Sequence, residues 1–192
     1  MLIRIRTILL LAFLCLVQLS VKSQQPTKED VIKPVKTIIQ SIRLNKDDLA
    51  LKYFDAEAQG RFLLGDNWAK GTAAQQREFI QLFQSLVSKI AFPKVRDNFK
   101  NLISITYDVP VVSGKEAIVN STIIIEHPTK RQEMKCKYTL VKQQEWKVVD
   151  VVVLGDSMLT GVRDDQVKSV LKEGGWNQLL SLMRKKNTEL GR

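Results

Sequence analysis

The spacing of the apolar residues changes once along this chain, near Leu102, and that change restricts the folds open to it. Upstream, apolar residues recur every three or four positions, as on one face of a helix. From "ISITYDV" onward they alternate. Ile103, Ile105, Tyr107 and Val109 fall on one side, and "KEAIVNSTIIIEH", "RQEMKCKYTLVK" and "EWKVVDVVVL" follow, with the turn-like "HPTK" and "QQ" between the later strands. Helical spacing returns after Gly155. Helices, then consecutive strands, then helices predict an α+β fold: helices packed on one face of a four-stranded antiparallel meander.

The helical half carries its own punctuation. "KEDVIKPVKTIIQSI" places Val31, Val35, Ile38, Ile39 and Ile42 on one stripe. Pro34 predicts that the helix begins there, with the proline in its first turn. "NKDDLALKYFD" reads as a short helix, and Asp55 caps "AEAQGRFLLGDNW". Thr72–Gln75 is a capping-box signature that opens a long helix to about Ile90, striped by Phe79, Leu82, Phe83, Leu86, Val87 and Ile90. At the far end, Asp164 or Asp165 caps "QVKSVLKEGG". "WNQLLSLMRKKN" then closes the chain with Leu179, Leu180 and Met183 buried.

Strand registers follow from the turns. A two-residue turn at Gln143-Gln144 sets Tyr138, Cys136 and Met134 opposite Val149, Val151 and Val153. A turn at Thr129-Lys130 sets Cys136 opposite Ile123. Both registers assemble one apolar face from three strands. The other face carries Lys135, Lys137, Thr139, Asn120, Thr122 and Asp150, with Lys137 opposite Asp150.

Residues 1–23 read as an export signal: Arg4 and Arg6, an apolar run from Ile8 to Leu19 too short to span a bilayer comfortably, and Val21 and Ser23 before a cut ahead of Gln24, with a retained N-terminal anchor as the competing reading. Residues 24–192 then form a single domain. The leader holds three of the thirty basic residues and none of the acidic ones, leaving a net charge of about +7. The basic residues are scattered rather than interleaved with aromatics, so nucleic acid is not the expected partner. One cysteine, Cys136, is left after cleavage, and His127 is the sole histidine. An internal disulfide and a multi-histidine metal centre are thereby excluded.

Gly155-Asp156-Ser157, at the end of an apolar strand, looks like the serine block of the GDSL esterases. A nucleophilic serine needs a base and an orienting acid. No histidine follows Ser157, and the chain ends before the further α/β units such an enzyme requires. No catalytic residue is assigned. Asp150, on the outer face, leaves the small-molecule enzymes of cone-shaped folds without their buried carboxylate.

Several stretches together resemble the MlaC family, also called the toluene-tolerance auxiliary family: "FD" at Phe54-Asp55, "LGDNWAKGTAAQQREFIQLFQSLV", "WKVVDVVVLGDSMLTGVRDDQVKSVLKEGG" and "LLSLMRKKN". Gly155 and Ser157 match the family's glycine–hydrophobic–serine pattern, while Asp156 departs from it. The resemblance implies a cystatin-like, nuclear-transport-factor-like cone whose helices lie on the concave face of a curved four-stranded sheet. It implies a periplasmic carrier that holds a phospholipid as cargo, without a cofactor. Such a carrier shuttles lipid between an outer-membrane lipoprotein complex and an inner-membrane ABC transporter and maintains outer-membrane asymmetry. A monomer is expected. A hopanoid-associated lipid-binding relative and a non-catalytic interaction module are the alternatives.

Given that resemblance, the expected acyl-chain contacts are Phe79, Phe83, Leu86 and Ile90 on the long helix. On the sheet they are Ile123, Cys136, Tyr138, Val149, Val151 and Val153, with Met158, Leu159 and Val162 at the mouth. Arg163 is the candidate for a head-group phosphate, with a surface ion pair as its other reading.

Overall fold

The computed structural model describes residues 26–127 and 130–191 of the 192; the signal segment read over residues 1–23 lies outside them. Helices α1 (Lys28–Arg43), α2 (Asp47–Lys52) and α3 (Ala56–Leu64) come first, followed by a 3-10 segment over Gly65–Lys70. Helix α4 (Ala73–Leu86) runs through a π turn (Val87–Ala91) into α5 (Phe92–Asn98). Strands β1 (Leu102–Tyr107), β2 (Val111–Ser113), β3 (Glu116–His127), β4 (Lys130–Lys142), β5 (Trp146–Val153) and β6 (Asp156–Ser157) form one antiparallel sheet. Helix α6 (Met158–Val162), a second π turn (Arg163–Val167) and α7 (Lys168–Glu189) complete the chain.

The sheet has six strands rather than four, in the order β1-β3-β4-β5-β6, with β2 pairing the start of β3. The two extra strands are three and two residues long, too short to show an alternating pattern. Helix α1 also differs from expectation. It begins at Lys28, capped by a reciprocal Thr27–Asp30 box, and Pro34 sits inside it. A proline there costs about 3 kcal/mol. The extra turns bury Val31 and Ile32 almost completely, worth about 1.5–3 kcal/mol each, and the cap adds about 1 kcal/mol. Burial and cap together outweigh the proline.

The β3–β4 register keeps the expected faces but not the expected partners, and parts of β1 and β5 change face. Between β3 and β4 the two connecting residues are 128 and 129, one position earlier than the sequence suggested. Cys136 therefore faces Ser121, and Ile123 faces Met134. A displacement of two leaves every side chain on its side of the sheet. Between β4 and β5 three residues connect the strands, since Lys142 pairs with Trp146. That odd shift places Trp146 and Val148 in the core, where both are fully buried. A bulge between Thr139 and Leu140 then absorbs one residue of β5 and restores the parity. Beyond it Tyr138 faces Val151, Cys136 faces Val153, and Asp150 faces Thr139 rather than Lys137. In β1 a similar irregularity turns Leu102 inward and leaves Ile103 exposed, and Val109 lies beyond the strand, solvent-facing.

Two apolar cores result. In the first, α1 and α5 cover one face of the sheet, with Val35, Ile38 and Phe92 against Val119, Leu140 and Val148. In the second, helices pack on helices: Leu63, Trp68, Phe79, Trp176 and Leu180 join α3, the 3-10 segment, α4 and α7. The phenylalanine stripe of α4 faces α7, not the sheet. The two cores meet at β5. There Asp55 donates its N–H to the Val148 carbonyl at 2.9 Å, and Gln59 Nε2 donates to the Val149 carbonyl at 2.9 Å.

Candidate functional site

The second core is organised around aromatic rings. Phe79 stacks on Phe83 with centroids 5.9 Å apart, and Trp68 and Trp176 both meet the Phe79 ring edge-on at about 6 Å. Glycine makes this possible at two places. A Cβ on Gly60 would lie 2.5 Å from the Trp68 ring, and one on Gly71 would collide with the Trp176 indole. Trp176 Nε1 donates to the Asn67 carbonyl at 2.8 Å, which fixes the ring at one end of the cluster.

Beyond these rings the packing opens. An apolar cleft of about 350 Å³ runs between α4 with its π turn and the second π turn with α7. Phe79 and Phe83 form its inner end. Leu86, Val87 and Ile90 form one wall. Val162, Val167, Val170, Leu179, Leu182 and Met183 form the other, and Gln166 and Lys186 are its polar members. Both π turns contribute to the walls. The first lies just before Pro93, whose ring would collide with the Lys89 carbonyl in a regular helix, and the wider turn moves that carbonyl aside. The second wall is aimed by Gly175, whose φ of 60° breaks α7 and redirects its last turns along α4. Ile90 and Leu182 stay more than a third exposed although they face apolar neighbours.

Of the residues expected to contact a ligand, Phe79, Phe83, Leu86, Ile90 and Val162 line this cleft, and Leu159 is buried in the core behind it. Met158 is about half exposed and lies off the cleft. The sheet residues sit elsewhere. Ile123, Cys136 and Tyr138 are buried in the first core, with Val151 and Val153 packed against it. Val149 leans towards the second core, because the odd shift puts its neighbour Val148 into the first core. Burial pushes the Cys136 thiol up and the Tyr138 hydroxyl strongly up, and takes the Tyr107 hydroxyl to about 12. Tyr138 shares a 3.3 Å hydrogen bond with Ser121.

Nine lining residues were not among the expected contacts: Val87 and Ala91 on one wall, and Gln166, Val167, Val170, Leu179, Leu182, Met183 and Lys186 on the other. The spacing Val167–Val170–Leu171 and the stripe of the last helix were visible in the sequence. That this face meets α4 rather than the sheet was not, because it depends on the break at Gly175.

Ser157 has a capping role. Its Oγ accepts the Thr160 N–H at 3.0 Å at the start of α6 and donates to Asp150 Oδ2 at 2.7 Å. Asp150 Oδ1 accepts the N–H groups of Leu159 and Val151. Leu154 and Gly155, both with positive φ, make the tight turn that brings Ser157 back to β5. His127 stands at the far end of the sheet. It pairs with Lys130, seven residues along β4 from the Lys137 level of Ser157, roughly 23 Å by strand rise.

Among the described residues no group of three His, Cys, Asp or Glu side chains could hold a metal ion, and no helix is long and apolar enough to cross a membrane. A family model described as "MlaC protein" matches residues 26–185. The chain belongs to the MlaC family. No curated protein matches it by sequence. Among solved structures, this MlaC member is similar to a phospholipid-binding protein from Ralstonia solanacearum determined in complex with a phospholipid. The TM-score is 0.69 at 19% identity, over 86% of this chain and 98% of that one. At that identity the likeness is one of fold.

Proposed function

We propose that this MlaC-family chain is a periplasmic phospholipid carrier that holds acyl chain in the cleft between α4 and α7. The observation that carries this reading is the cleft itself: an apolar, half-open space whose walls leave Ile90 and Leu182 more than a third exposed. Family membership and a similar fold that binds a phospholipid support it. Each methylene taken from water is worth about 0.8 kcal/mol, so a buried chain binds well without a polar anchor.

The size bears on how the cargo sits. A cavity of about 150 Å³ holds benzene; on that scale 350 Å³ takes about fourteen carbons, close to one acyl chain. Exported by its leader, the monomeric carrier moves lipid between an outer-membrane lipoprotein complex and an inner-membrane ABC transporter, which sustains outer-membrane asymmetry. No cofactor takes part.

Organic extraction of the purified protein followed by mass spectrometry tests the cargo. Phospholipid at close to one per chain is expected, and Val170→Arg, which puts a charge into the cleft wall, empties it. A protein that is reproducibly empty and cannot be loaded from vesicles overturns the carrier and favours an interaction module.

A further inference from the structure

The helical segment that walls the cleft has a second face with different chemistry. Val162, Gln166, Val167 and Val170 look into the cleft, whereas Arg163, Lys168, Leu171 and Lys172 look into a separate pocket of about 490 Å³. Its opposite side is the end of α3, Phe62–Gly65, and Asn67 of the 3-10 segment. Three of its lining residues are cations and none is acidic.

These cations are held in place. The Arg163 guanidinium carbon lies 4.8 Å from the centre of the Phe62 ring, and its Nε and Nη2 donate to the two oxygens of Asp164 at 2.9 and 3.3 Å. Nη1 is left to donate elsewhere. Lys168 Nζ stands 2.8 Å from the same carboxylate. Hydrogen bonds from Arg163 and then Lys168 hold the Asp164 carboxyl down to about 2, so it remains ionised and pairs with two of the three cations. Lys172, one turn after Lys168, has no ion pair among the described residues. Like charges at this spacing repel weakly, and an anion between them would relieve that repulsion. The Asn67 Oδ1 accepts from Lys70 at 3.3 Å, leaving its amide N–H groups as donors.

We propose that this pocket is an anion site for a phosphate group, bound by Arg163, Lys168, Lys172 and the Asn67 amide. Guanidinium and ammonium donors converging on one space suit a tetrahedral, multiply accepting oxyanion. Phe62 and Leu171 suit a phosphate carried on an apolar body. The site is separate from the cleft and does not depend on the carrier reading. A free phosphate or the head group of an anionic lipid surface supplies the same chemistry.

The test uses the purified full protein with two probes: inorganic phosphate followed by NMR of the Arg163 side chain, and sedimentation with phosphatidylglycerol or phosphatidylcholine vesicles. Lys172→Glu is compared with Lys185→Glu, an equal change of charge on an exposed α7 residue outside the pocket. Lys172 is exposed, so both variants fold, and co-purified lipid is unchanged in each. Saturable phosphate binding or selective binding of phosphatidylglycerol vesicles is expected. Lys172→Glu weakens it at least fivefold, the effect of about one cation at an anionic surface, and Lys185→Glu by less than twofold. Phosphate alone points to a soluble ligand; vesicles alone, with the same Lys172 dependence, point to a head group. Binding of neither probe, or equal weakening by the two variants, overturns the site.

Discussion

The two cores draw on similar apolar residues and reach opposite ends. Between α1 and the sheet, valines and isoleucines at strand spacing interlock with a straight helical stripe, and the space is filled: Val31, Val119, Leu140 and Val148 have no exposure at all. Between α4 and α7 the side chains are larger and more aromatic, yet a cleft remains. The difference lies in the backbone. A paired strand presents its side chains at fixed intervals, whereas the two helices pass through π turns and a break at Gly175 where their surfaces part. Apolar content alone does not decide whether a core closes.

Deep truncations separate the two regions most strongly. Phe79→Ala removes the centre of the ring cluster and is expected to cost about 3–5 kcal/mol, and Leu140→Ala about 2–5 kcal/mol. Thermal unfolding of a chain this size then drops by about 2–4 °C for each kcal/mol. Lipid content divides the pair: Leu140→Ala keeps its cargo and Phe79→Ala loses it. Equal lipid loss in both would mean that the cores are not independent.

Gly71→Ala is next, at about 1–3 kcal/mol of overpacking, because its methyl meets the Trp176 ring. Trp176 fluorescence shifts with it, while amide exchange in β4 does not. Alkali provides the converse probe. Tyr107 and Tyr138 are held neutral by the first core, with folded values above their ordinary 10. Stability from their burial is complete below pH 10 and declines as pH rises towards about 12. Amides of β3 and β4 should therefore lose protection before those of α7. Ser157→Ala removes a cap worth about 1 kcal/mol and leaves lipid content unchanged. Leu182→Asn, on an exposed wall of the cleft, changes stability by less than about 0.5 kcal/mol but lowers lipid retention.

Legibility in the sequence followed the same division. The Thr72–Gln75 capping box, the Asp55 cap and the buried Leu179, Leu180 and Met183 stand as local chemistry indicates. Inward and outward faces of β3 and β4 were readable from parity, since the β3–β4 shift was even. What escaped was set by single residues acting at a distance. The odd β4–β5 shift moved Val149 to the other core, Thr27 began α1 ahead of Pro34, and unbroken helix through Arg163–Val167 replaced the expected cap at Asp164 or Asp165. The cleft was placed against the sheet because a stripe shows what is buried and not which partner buries it.

The two π turns carry a consequence for how this cleft is encoded. A π turn is one residue more than a regular helix would use over the same rise. The width of the opening is therefore written as chain length, in one surplus residue on each wall, rather than in the chemistry of any side chain. Side-chain exchange can relubricate or block such a slot, but losing a single codon on either wall would narrow it while leaving the flanking helix faces in phase.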